Sequence, residues 1–163
     1  MSKVRHDVIV TDPLGALPTR DALEYIDSRA PEDVRRAISW LQEEGWQPAS
    51  ASGGVGAPFG DILIEFIGNR TGVRIIQDRS QWVMDVRPTG CSEWFDFGIL
   101  LDTMTGREEW TSGHELPSQL PPGVDWANTL PEVLAWLSST SNIASKIRET
   151  RLKRFRARFP RRG

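Results

Sequence analysis

The middle of the chain alternates apolar and polar side chains, and this alternation constrains the fold more than any other feature. In Ile62–Ile67, and again in Trp82–Arg87, every second side chain is large and apolar. Turn-forming residues occupy 69–72 and 78–81, and a further short run follows at Trp94–Phe97. Strands of this length joined by short turns pair antiparallel. The sequence therefore predicts an antiparallel β-meander of about four strands.

A helical pattern precedes the meander. Apolar residues recur at helical spacing from Val34 to Leu41, after Pro31 at a position where a first helical turn tolerates proline. We predict a helix over residues 31–44 and a shorter helix before it that ends near Ser28. Helices are thus expected on the N-terminal side of the sheet.

Helical patterns also follow the meander. Residues 99–104 fit either a short helix or a strand end, and Thr129 is predicted to cap a helix with Pro131 and Glu132 in its first turn. Beyond it, four large apolar residues suggest one helical stripe that docks on the core: Ile143, Ile147, Phe155 and Phe159. The predicted fold class is α+β, with the meander packed against N-terminal and C-terminal helices.

A length of 163 residues suits a single domain with a substantial core. We divide the chain by pattern into an N-terminal helical part (1–48), a Gly-rich loop (49–60), the meander (61–104), a Pro-rich loop region (105–128) and C-terminal helices with a basic tail (129–163).

Charge is distributed unevenly along the chain. The formal net charge of −2 combines −10 over residues 1–145 with +8 over residues 146–163. Residues 93–132 alone carry −7. If the basic end lies on the acidic segment, both belong to the internal structure. If the two lie apart, each remains available to a partner.

The sequence favours a cytoplasmic protein. Its single cysteine, Cys91, cannot form an internal disulfide. No apolar run approaches the about 20 residues that a membrane-spanning helix needs, and no secretory pattern follows the charged start of the chain. We therefore expect no membrane partner.

No motif in the sequence predicts catalytic residues, a metal site or a cofactor. The glycine-rich stretch Gly53–Gly60 lacks the glycine spacing and the lysine of a phosphate-binding loop, and a strand follows it. His6, Cys91 and His114 are too scattered along the sequence to suggest a zinc site. An enzyme whose site is assembled only by the fold, around His114 or Cys91, stays open as one hypothesis.

The basic C-terminal segment supports a second hypothesis, a nucleic-acid-associated regulator. Lysine and arginine side chains there are interleaved with Phe155 and Phe159, a composition that suits a surface following a phosphate backbone or, less favoured, one lying on an anionic membrane. The candidate nucleic-acid-binding residues are Lys146, Arg148, Arg151, Lys153, Arg154, Arg156 and Arg158.

The acidic segment fits two interpretations: a protein-binding surface, or tryptophans that belong to the core beside acids that solvate a loop-rich surface. Tryptophans provide anchor area, and a field of one sign accelerates encounter with an oppositely charged partner. The candidate partner-binding residues are Glu93, Asp102, Glu108, Glu109, Trp110, Glu115, Asp125 and Trp126.

Three strand segments and one connecting phrase also carry a family resemblance. They are FGDILIEF at Phe59–Phe66, VRIIQ at Val73–Gln77, DRSQWVMDV at Asp78–Val86 and WFDF at Trp94–Phe97. Together they resemble small actinobacterial proteins of the immunity type, which neutralise polymorphic or contact-dependent toxins. The resemblance implies a cytosolic inhibitor that binds its cognate toxin directly, and it supplies no binding motif.

The leading hypothesis from the sequence is therefore a non-enzymatic immunity-type protein. An acidic, tryptophan-bearing surface would cover the active site or substrate groove of a toxin domain, such as a basic nuclease.

Overall fold

The computed structural model describes residues 15–53, 61–107 and 125–159. The elements are, in chain order, α1 (Thr19–Arg29), α2 (Glu32–Glu43), β1 (Gln47–Gly53), β2 (Ile62–Gly68), β3 (Thr71–Asp78), β4 (Gln81–Arg87), β5 (Phe95–Asp96), α3 (Phe97–Thr105), α4 (Trp126–Ser139) and α5 (Ile143–Arg158). The strands form one sheet in the order β1-β2-β3-β4-β5, and every neighbouring pair is antiparallel. The predicted α+β class, with an antiparallel meander between N-terminal and C-terminal helices, is confirmed.

The two faces of the sheet differ as the alternation predicts. On the inner face, Ile64, Ile75 and Met84 lie directly opposite one another on three strands and are fully buried with the helices. The outer face is the side that carries their neighbours Glu65, Arg74 and Asp85, whose side chains are half-buried. The helices and the inner face therefore form the core, and the outer face holds the charges.

Strand β1 is an addition to the about four strands expected. Its residues from Ala49 to Gly53 fall in the segment predicted as a Gly-rich loop, so that prediction is wrong for this part, and residues 54–60 lie outside the described residues. The sequence QPASASG contains small residues and gives no hydrophobic alternation. Pairing supplies the strand instead: Ala51 lies opposite Ile64 of β2, and its carbonyl accepts a hydrogen bond from the Leu17 N–H at 2.9 Å.

The two central hairpins close through two-residue turns at the predicted positions. Asn69 and Arg70 have φ of 50° and 64°, and Arg79 and Ser80 have φ of 48° and 69°. Left-handed backbone at both turn residues matches the right-handed twist of the flanking strands. These turns set the strand register, which places Glu65, Arg74 and Asp85 directly beside one another across the outer face.

Residues 99–104, predicted to form either a short helix or a strand end, are part of helix α3. The Asp96 side chain caps it by accepting a hydrogen bond from the Ile99 backbone N–H at 3.1 Å. A side-chain oxygen in this position satisfies one of the N–H groups that a helix start leaves unpaired. The residue that ends β5 thus begins α3.

Helix α4 begins at Trp126, before the predicted cap at Thr129. Asp125 is the actual cap, because its side chain accepts a hydrogen bond from the Asn128 backbone N–H at 2.7 Å. Pro131 consequently lies inside the helix rather than in its first turn.

The single apolar stripe expected along α5 is wrong. Ile143 and Ile147 are buried, but Phe155 and Phe159 are 61% and 58% exposed. At 3.6 residues per turn, side chains eight and twelve positions beyond Ile147 are rotated by about 80° and about 120° from it. The inner face of α5 continues instead through Thr150 and Arg154, and the two phenylalanines face solvent.

Candidate partner-binding surface

The basic helix and the acidic segment meet inside the protein. Arg154 of α5 donates two hydrogen bonds to one carboxylate oxygen of Asp102 in α3, from Nε at 2.8 Å and from one terminal nitrogen. Asp102 is only 2% exposed, and Nη1 of Arg107 lies 3.7 Å from its other oxygen. A carboxylate this deeply buried is stable only with such partners. The ion pair between Asp102 and Arg154 therefore stabilises the packing of α5 against α3.

Two further contacts join α5 to the acidic segment, one to Glu93 before β5 and one to Thr103 of α3. Arg151 bonds Glu93 at 2.8 Å in an exposed ion pair, and the hydroxyls of Thr103 and Thr150 lie 3.0 Å apart. Of the two arrangements left open by the sequence, the structure shows contact between the basic and the acidic segment. The charges of Arg151, Arg154, Glu93 and Asp102 are therefore used in contacts within the protein.

The structure places the described members of the predicted acidic, tryptophan-bearing surface in different environments. Asp102 and Trp126 are buried, which leaves them almost no surface to offer a partner. Asp125 caps α4 and lies 3.4 Å from Nη1 of Arg36, and Glu93 is exposed beside Arg151. The other four residues lie outside the described residues: Glu108, Glu109, Trp110 and Glu115.

The candidate nucleic-acid-binding residues are divided in a similar way. Arg151 and Arg154 pair with Glu93 and Asp102, and Lys153 lies 3.2 Å from Glu149. Within the described residues, four other members are exposed and form no ion pair: Lys146, Arg148, Arg156 and Arg158.

A site that the sequence did not single out lies on the outer face of the sheet around Trp94. A Cβ placed on Gly72 would lie 2.7 Å from Cη2 of Trp94, so the indole occupies the space that any other residue would fill. The guanidinium carbons of Arg74 and Arg87 lie 4.7 and 4.8 Å from the ring centroid. Both distances are within the range of cation–π attraction.

Carboxylates on other strands of the sheet hold both arginines in place. Asp85 accepts hydrogen bonds from Nε and Nη2 of Arg74 at 2.8 and 2.6 Å, and Glu65 accepts one from Arg87 at 3.3 Å. We call this group, with Asp96 at its edge, the Trp94 surface: Glu65, Gly72, Arg74, Asp85, Arg87, Trp94 and Asp96. Its aromatic ring is held in one orientation on the outer face.

Asp96, at the edge of the Trp94 surface, has a pKa above its usual value. Burial raises its pKa to about 7, and Asp85, directly opposite on β4, adds to the increase. The hydrogen bond from the Ile99 N–H and the charge of Arg154 act in the opposite direction. Its ionisation therefore changes near neutral pH.

Sequence patterns contained part of the signal for this surface. Alternation places Glu65, Arg74, Asp85 and Arg87 on one face once the strands are recognised. The contact of Trp94 with Gly72 depends on how β5 and the chain before it approach the sheet, which no local pattern specifies.

Comparison of the chain with protein-family models, curated proteins and solved structures found no match. In the described ranges, no group of three or more histidine, cysteine or acidic side chains could hold a metal ion. None of the helices in that part of the chain combines the length and apolar character needed to span a bilayer. His6 and His114 lie outside the described residues, and Cys91 is half-buried.

Proposed function

We propose that the chain is a non-enzymatic immunity-type protein that binds and neutralises a cognate toxin domain, and that the Trp94 surface forms its main contact. The observation that carries this proposal is the fixed indole on the outer face, held against Gly72 by Arg74 and Arg87. The family resemblance of the strand segments supports the class of partner.

The composition and rigidity of the surface suit a protein interface. Tryptophan and arginine are the side chains most often found at energetically dominant positions of interfaces. Both arginines are already oriented by Asp85 and Glu65, so binding would cost little additional side-chain entropy. A preorganised aromatic anchor with ordered arginines is therefore a good candidate for the centre of the contact.

The charges around the anchor favour a basic partner. Four carboxylates lie on or beside the surface (Glu65, Asp85, Glu93 and Asp96) against three arginines (Arg74, Arg87 and Arg151), so the excess is one negative charge, present when Asp96 is ionised. Excess charge of one sign steers an oppositely charged partner and mainly raises the association rate. This supports a cationic toxin surface, such as that of a basic nuclease.

The test is binding to, and rescue from, a toxin domain encoded immediately upstream of this chain. We expect the native chain to bind that domain in calorimetry and to restore growth of cells that express it. Trp94→Ala should weaken binding by about 2 kcal/mol or more, which is about thirtyfold. Arg87→Ala, which removes one of the arginines that contact Trp94, should also weaken binding. Its matched control is Arg35→Ala, in an exposed ion pair of α2, which should have no effect.

Circular dichroism and thermal melts of each variant separate loss of binding from loss of fold. Absence of both binding and rescue by the native chain would overturn the proposed function. Binding that persists unchanged in folded Trp94→Ala would overturn the assignment to the Trp94 surface.

A further inference from the structure

The outer side of α5 carries an apolar stripe that no part of the core uses. Leu152, Phe155 and Phe159 are 47%, 61% and 58% exposed, and their spacing of three and four residues places them on one side of the helix. In the described part of the chain, Ile67 is the one other exposed large apolar residue. Such a concentration on a single helix face marks an interaction site more often than chance exposure does.

The opposite side of α5 is fixed, so the stripe points outward permanently. Ile143 and Ile147 are buried in the core, and Arg154 is held by Asp102. The two phenylalanine rings also contact each other, with centroids 5.0 Å apart and planes tilted by 47°. The helix therefore presents a preformed apolar ridge.

Cations surround this ridge. Arg148 lies four residues before Leu152, on the same side of the helix, and Arg156 and Arg158 lie next to the phenylalanines in sequence. All three are exposed. The one acid of α5, Glu149, lies 3.2 Å from Lys153, and this pair leaves the arginines unopposed within the described residues. The occupant of this face should therefore be both apolar and anionic.

Two other occupants fit less well. A second copy of the chain would bring the same arginines against one another, which is repulsive at close range. A nucleic acid would contact the arginines, but Leu152 offers no stacking surface, and the two phenylalanine rings already contact each other at a tilt of 47°.

We propose that the outer face of α5 binds an anionic lipid surface, with the ridge entering the boundary between headgroups and acyl chains. The exposed ridge and the arginines beside it supply the two contributions, apolar and cationic, that together hold a protein at an anionic membrane surface. For this segment the sequence favoured nucleic acid over a membrane, and its apolar runs are too short to span a bilayer. A helix that lies on the surface needs only one apolar side. This site is independent of the toxin contact proposed above.

The ridge and the charges together give weak and reversible binding. A short apolar contact alone anchors a protein poorly, and a basic cluster supplies the second contribution. Each arginine near an anionic surface is worth about a fivefold change in affinity. Binding should therefore depend strongly on anionic lipid and on salt.

The experiment is co-sedimentation of the full chain with vesicles. We expect binding to vesicles that contain phosphatidylglycerol and phosphatidylcholine, and little binding to phosphatidylcholine alone. Raising the salt from about 0.1 M to about 0.5 M should weaken the binding severalfold. The double variant Phe155→Ser, Phe159→Ser should bind at least about tenfold less, and Arg156→Glu at least about fivefold less.

Two matched controls define specificity. Ile67→Ser removes an exposed apolar side chain from the sheet, and Arg20→Glu reverses an exposed charge on α1. Both should bind vesicles like the native chain. All substituted side chains are solvent-exposed, so circular dichroism should show folded proteins.

Three results would overturn the proposal. They are absence of native binding to phosphatidylglycerol vesicles, equal binding by the double phenylalanine variant, and tighter binding of a single-stranded DNA oligonucleotide than of vesicles. The last result would assign the face to nucleic acid.

Discussion

Substituting alanine at Gly72 and at Gly68 compares two tryptophans that lie against the same hairpin from opposite sides. Trp94 covers Gly72 on the outer face, and Trp46 covers Gly68 on the inner face. A new Cβ at residue 72 would lie 2.7 Å from Cη2 of Trp94. One at residue 68 would lie 2.7 and 2.9 Å from Cε2 and Cε3 of Trp46, and nearer still to Cδ2. Neither distance is tolerable, so in both variants the ring must move.

The two rings differ in their freedom to move. Trp94 is half-buried and can swing toward solvent, losing two cation–π contacts worth about 0.5–1 kcal/mol each. Replacing glycine within a strand returns about 0.5–1 kcal/mol. The net destabilisation by Gly72→Ala should be about 0.5–1 kcal/mol. Trp46 is buried in the core, where overpacking costs about 1–3 kcal/mol and relaxation is restricted. Allowing for the same gain from replacing a strand glycine, we expect Gly68→Ala to destabilise more, by about 1–2 kcal/mol.

Urea denaturation followed by far-ultraviolet circular dichroism measures both changes in the free energy of unfolding. In the folded state, the tryptophan fluorescence of Gly72→Ala should move to longer wavelength as Trp94 gains solvent contact. Gly72→Ala should also weaken toxin binding, because it displaces the proposed anchor without removing it. Equal destabilisation by the two variants, or a larger effect at residue 72, would refute the argument that a new methyl group displaces the half-buried outer ring more easily than the buried inner one.

Three further changes test the charges and turns. Because the folded-state pKa of Asp96 is raised to about 7 from 3.8, its ionisation destabilises the fold as pH rises between these values, by at most about 4 kcal/mol. Asp96→Asn keeps a capping oxygen and should exceed the native stability at pH 8 but match it near pH 4 in urea denaturation. Equal stability of the two proteins at pH 8 would contradict the raised pKa. Asp102→Asn breaks a buried pair with Arg154 and should cost about 3 kcal/mol in thermal or urea unfolding. The exposed control Glu93→Gln should cost under about 1 kcal/mol, and similar losses would contradict the role given to burial. Ser80→Gly should raise the unfolding free energy by up to about 1 kcal/mol, because φ at this residue is 69°; a loss of stability would argue against the left-handed turn.

Local patterns predict well those strands and helices whose structure is specified by their own side chains. Strands β2, β3 and β4 follow from alternation, and α2 follows from its apolar spacing. Strand β1 could not be found in this way, because its small residues gain their structure from the backbone of β2 and from the Leu17 N–H. The start of α4 was placed too late because both Asp125 and Thr129 are acceptable caps, and only the observed hydrogen bond distinguishes them.

The candidate sites show a related limit. Counting charges along the chain reveals that residues 93–132 and 146–163 have opposite signs, but a sum does not tell which charges are buried together. Asp102 lies in a largely apolar segment, Phe97–Met104, so a helix there places it among core side chains. Trp94 became a candidate only through contact with Gly72 and the two arginines, which depends on tertiary approach.

Helix α5 shows how the helical period could have separated internal from external charges. Arg154 follows Ile147 by seven residues, almost two complete turns, so a helix that buries Ile147 must direct Arg154 toward the core as well. A guanidinium directed there requires a carboxylate, and Asp102 supplies it. Phe155 is the next residue, rotated by a further 100°, and therefore leaves the core side together with Phe159. The same rotation of the helix that directs Arg154 toward the core therefore places Phe155 and Phe159 in solvent. Both roles of α5, packing on the core and presenting the apolar ridge, follow from this rotation.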